Sequence, residues 1–133
     1  MKNIIVVLFF ATGFIKAQKL EYKFLTKDQN NEKWYYAFDK KTDDGFYSWI
    51  KSEYTFENDP STESTEYYIE FKCSNKSMSD EIVKINWRKD DAEVTKKKMP
   101  FTPVSKNHIS YSLFKEFCCP VLKKRYRLLN KNN

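Results

Sequence analysis

The chain has 133 residues, a formal net charge of +6, only 2 glycines, and aromatic side chains at 17% of its positions. That length bounds a single domain, and so few glycines exclude phosphate-cradling loops and dinucleotide fingerprints, which need several. Lys2 and Lys16 lie in a leader, and Lys123, Lys124, Arg125, Arg127 and Lys131 crowd the end, so residues 18–122 carry a net charge of −1 and offer no basic nucleic-acid-binding face.

Residues 1–17 (MKNIIVVLFFATGFIKA) combine an early lysine, an apolar run from Ile4 to Ile15 and a small residue, Ala17. This is the pattern of a secretory signal peptide cleaved after Ala17. The apolar run is shorter than the roughly 20 residues that span a bilayer. The reading predicts an exported protein, periplasmic, surface-held or released, with a domain over residues 18–122 and a flexible basic tail over 123–133.

From residue 20 onward, short β-prone segments alternate with polar breaks. Residues 20–25 predict a first strand, residues 26–31 a loop and residues 34–38 a second strand. The break KKTDDG ends in Gly45, which is free to take a positive φ. Residues 46–56 predict a long third strand, and ENDPSTES at 57–64 a loop. In residues 67–73, Tyr67, Ile69, Phe71 and Cys73 alternate with Tyr68, Glu70 and Lys72, a period of two with one apolar face. Residues 81–88 alternate likewise, and residues 94–98 follow a turn. Consecutive strands with short connections predict an antiparallel sheet.

After Pro103 the period changes. Ser105 is placed to cap a helix. Ile109, Leu113, Phe114, Phe117 and Cys118 share one arc of a helical wheel, and Ser112, Lys115 and Glu116 the other. Pro120 disfavours helical backbone at the residue before it, which predicts a helix end near Cys118. The fold class is therefore α+β, mainly β: an antiparallel sheet of about six strands with one C-terminal helix packed on it.

Three cysteines, Cys73, Cys118 and Cys119, remain after the leader, and an exported chain favours a bridge between two of them. Cys73 lies on an apolar strand face and Cys118 on the apolar arc of the helix. Cys119 lies about 100° further round the wheel. Geometry favours Cys73–Cys118, with Cys73–Cys119 the alternative, since connectivity does not follow from sequence alone. Cys119 is then a free thiol or a link to a second chain.

Four stretches carry a resemblance: residues 35–39 (YYAFD), 45–51 (GFYSWIK), 69–73 (IEFKC), and 103–105 (PVS) ahead of a helix ending in Phe117 and Cys118. In order and spacing they resemble the surface-adhesin protein E family of small exported bacterial domains, over about residues 20–118. The chain departs from the family pattern where Met99 or Phe101 stands for a tryptophan, and at Val104, which stands for a glycine. The resemblance implies a sheet of about six strands under a C-terminal helix, a disulfide at Cys73 and Cys118, dimer formation, and binding of host extracellular-matrix proteins.

Enzymatic chemistry is not expected. His108 is the only histidine, and a Cys–His pair needs a reactive thiolate beside it. The same lack of ligand types argues against metal, and no cofactor is expected. Asp43, Asp44, Glu53, Glu57, Asp59, Glu63, Glu66, Asp90 and Asp91 read as solvated turn residues. The residues that point to binding are Tyr47, Trp49 and Tyr68, aromatics set among charges on what would be the sheet face away from the helix. They predict a protein partner or a homodimer. Lys123, Lys124, Arg125 and Arg127 predict contact with an anionic envelope component. The expected function is an exported, non-enzymatic binding module of the adhesin kind. The second expectation is an inhibitor or sensor acting on another envelope protein.

Overall fold

The computed structural model describes residues 19–129; the leader, and with it the signal-peptide expectation, lies outside them, as do residues 130–133. Six strands follow one another across a sheet in chain order. They are β1 (Lys23–Lys27), β2 (Lys33–Lys41), β3 (Gly45–Glu53), β4 (Thr62–Lys72), β5 (Ser77–Trp87) and β6 (Glu93–Lys96). A two-residue strand, β7 (Thr102–Pro103), pairs with β5 at Ser77 and Met78. Every pairing is antiparallel. One helix, α1 (Tyr111–Leu129), completes the fold. The expected class, the six-strand antiparallel sheet and a C-terminal helix all hold.

Register sorts the side chains onto two faces. Phe46, Ser48, Ile50 and Ser52 of β3 stand opposite Phe71, Ile69, Tyr67 and Thr65 of β4. This face meets the helix. Phe46, Ile50, Ile69, Phe71 and Cys73 form the buried core with Leu113, Phe114 and Cys118. The Phe46 and Phe71 rings stack at 4.6 Å, and Phe117 sits 5.0 Å from both Phe38 and Phe46. The Cys73–Cys118 disulfide joins the end of β4 to the helix across 45 residues, with the Cα atoms 5.2 Å apart. Cys119 is free and exposed, as its position on the wheel predicts.

Three expectations are corrected. The helix does not start from a Ser105 cap. Residues 106–110 form turns, and the Ser110 carbonyl accepts the Phe114 N–H at 3.0 Å, so Ser110 is the cap residue. Nor does it end near Cys118: Pro120 lies inside it, and residues 123–129, expected outside the fold, continue it. Proline removes one ladder bond, but Leu122 repeats the Phe114–Cys118 spacing and packs against the core, so burial on that face carries the helix past the break. Gly45 does not have a positive φ; the residues that do are Asn31 (65°) and Lys76 (51°), each in a turn between strands. Gly45 is glycine because a Cβ there would lie 1.8 Å from the Phe71 carbonyl oxygen.

Candidate functional site: the sheet face opposite the helix

The alternate positions of the same strands build the other face. Tyr47, Trp49, Lys51 and Glu53 of β3 stand beside Glu70, Tyr68, Glu66 and Ser64 of β4. The expected trio does come together. Tyr68 lies 5.1 Å from Tyr47 and 4.9 Å from Trp49, ring centre to ring centre. All three are half-buried, and among the described residues no helix covers them.

Charges frame this strip as paired groups. The Lys98 ammonium donates to Glu70 at 2.6 Å and to Glu81 at 2.7 Å. Those two carboxylates hold the lysine charged well above its usual range. The Tyr47 hydroxyl donates to Glu81 at 3.2 Å; burial, with Glu70 and Glu81 beside it, pushes its pKa up to about 12. The Tyr68 hydroxyl donates to Asp39 at 2.5 Å, and burial, then that carboxylate, raise it too. Lys40 lies 4.8 Å from the Tyr47 ring, a cation–π distance. These tyrosines remain neutral donors throughout the physiological range.

A second cluster centres on Glu66. Its carboxylate accepts from Tyr22 at 2.8 Å, Asn86 at 2.9 Å and Lys84 at 3.3 Å. Burial alone would raise its pKa, but these three donors outweigh that and hold it below the usual carboxylate range. Beside it Lys51 pairs with Glu53 at 2.8 Å and faces the Tyr22 and Tyr35 rings at 5.8 and 6.0 Å. Sequence reasoning placed Glu66 among the turn acids and did not single out Tyr22 or Tyr35. Glu66 is two residues before Tyr68 and four before Glu70, on the same strand face, so the period of two was the available signal. The approach of Tyr22 to Glu66 spans 44 residues, and no local pattern carries it.

The basic end is placed in part. Lys123 and Arg127, one helical turn apart, are both exposed; the side chains of Lys124 and Arg125 lie outside the described residues. Among the described residues no group of His, Cys, Asp or Glu is set to hold a metal ion, and no helix is long and apolar enough to cross a membrane. No family model, no curated protein and no solved structure matches this chain.

Proposed function

We propose that this chain is an exported, non-enzymatic binding module that engages a protein partner through the sheet face opposite the helix. The observation that carries this reading is the Tyr47–Tyr68–Trp49 strip, three half-buried aromatics in mutual contact and framed by paired charges. Interfaces concentrate binding energy in aromatic anchors of this kind, ringed by polar groups. The ion pairs already set the neighbouring side chains, which lowers the entropy lost on docking.

The resemblance to the surface-adhesin protein E family gives the partner class, host extracellular-matrix protein, and the same face serves a homodimer. Lys123 and Arg127, exposed one turn apart, support contact with an anionic envelope component. In the alternative reading the strip caps another envelope protein, as an inhibitor or sensor does.

Titration of the immobilised chain with purified extracellular-matrix proteins separates these readings. The adhesin reading expects saturable binding to at least one of them. The inhibitor reading expects none, and instead near-stoichiometric loss of activity in an envelope hydrolase.

A further inference from the structure

The helix side of the sheet is not filled from end to end. Below the turns that precede α1, a cavity of about 370 Å³ lies between the sheet and residues 107–110. Its walls are largely apolar, with Trp34, Ile69 and Met78 among them, and Tyr67 adds an aromatic face. Two groups in the lining titrate in the acid to neutral range, Asp80 and His108. The space opens to solvent, and its size and lining fit the lower end of small-ligand sites.

The polar groups set the ligand's chemistry. Among the described residues no side chain donates a hydrogen bond to the half-buried Asp80 carboxylate, and the charge coupled to it is His108. His108 is a poor counter-charge. Burial of its ring lowers its pKa against the pull of Asp80, and its Nδ1 accepts the Ser110 N–H at 3.2 Å, which places the ring proton of neutral imidazole on Nε2. The Trp34 ring is held in place by its own N–H, which donates to Asp28 at 3.2 Å. The cavity thus presents one carboxylate without a matched cation, beside indole and phenol faces that attract one.

We propose that this cavity is a binding site for a small organic cation, a primary amine with a compact aromatic or branched apolar body, whose ammonium pairs with Asp80. The site lies on the opposite side of the sheet from the aromatic strip, so it stands or falls independently of the protein-binding reading.

The test uses 2-phenylethylamine as probe and 3-phenylpropionate as its charge-reversed control, titrated into the exported chain and followed by amide NMR shifts. The expected result is saturable shifts confined to the neighbourhoods of residues 34, 67–69, 78–80 and 107–110, with the carboxylate control binding at least roughly tenfold more weakly. Asp80→Asn, nearly isosteric, removes the preference for the amine, and Met78→Phe, which occupies the volume, blocks binding while the amide spectrum stays folded. Equal binding of both probes, an amine affinity unchanged by Asp80→Asn, shifts centred elsewhere, or no saturation with the amine overturns the proposal.

Discussion

Gly45 and Phe71 meet with no room for a methyl group between them: a Cβ at position 45 would fall 1.8 Å from the Phe71 carbonyl oxygen and 3.3 Å from the Lys72 Cα. The obstacle is backbone, where the start of β3 pairs with the end of β4, so no rotamer change relieves it. Gly45→Ala is therefore expected to cost about 3 kcal/mol or more, in the range of severe core and backbone lesions. Urea denaturation of the oxidised chain measures it, and a loss below ~1 kcal/mol would show that the strands can part locally.

Reduction of Cys73–Cys118 releases the helix from the end of β4. The bridge closes a separation of 45 residues, for which chain entropy gives about 4 kcal/mol. Cys73→Ser is expected to lower stability on that scale. Cys119→Ser, at an exposed free thiol, is expected to change it by less than about 0.5 kcal/mol. Non-reducing peptide maps of the two variants check the pairing alongside denaturation.

Two aspartates are expected to push stability in opposite directions with pH. Asp59 accepts the Ser61 and Thr62 N–H groups at 3.0 and 2.8 Å and the Ser61 hydroxyl at 2.8 Å, and these bonds, those of Thr62 foremost, lower its pKa to about 2. A carboxyl lowered on folding stabilises above its unfolded pKa, and that contribution is lost as pH falls toward about 2. Asp59→Asn should flatten the acid limb. Asp80 is raised by burial, against the pull of His108, so its contribution to stability declines as pH rises through the unfolded and then the folded value. Asp80→Asn should gain on the wild type between acid and neutral pH. Denaturation midpoints across that range read both signs.

Lys76 holds φ at 51° in the turn between β4 and β5. A left-handed conformation costs an L-residue roughly 1–2 kcal/mol, while glycine in exchange loses about 0.5–1 kcal/mol of chain entropy. Lys76→Gly is accordingly expected to stabilise by about 0.5–1 kcal/mol, with the Val104 N–H still bonded to the backbone carbonyl of residue 76. A rise in the thermal midpoint tests this. Asn31, the other such residue, tolerates the region better and offers less gain.

Much of the sheet was legible because its signal is local. Alternation in residues 67–73 named the core face of β4, and the same rule placed Tyr47, Trp49 and Tyr68 together on the other. The helical wheel selected Cys118 over Cys119 because a residue's angle follows from its number alone. What sequence missed depends on partners distant in the chain. The reason for Gly45 lies in Phe71; the continuation past Pro120 lies in the burial of Leu122. The cavity beside Asp80 escaped notice because a bulge shifts the β4–β5 register between Tyr68 and Ile69. That shift puts Asp80 opposite Ile69 on the helix side, out of step with the uniform alternation read from residue 81.

The central claim is that the aromatic strip binds a partner, and Trp49→Ala tests it most directly. The ring is half-buried against Tyr68, so its loss should cost only about 1–2 kcal/mol, less than removal of a fully buried aromatic. Affinity for an extracellular-matrix protein that binds the wild type, or self-association measured by sedimentation, should fall at least tenfold, about 1.4 kcal/mol, with the fold retained. Unchanged partner binding and unchanged self-association in a folded Trp49→Ala protein would contradict the account.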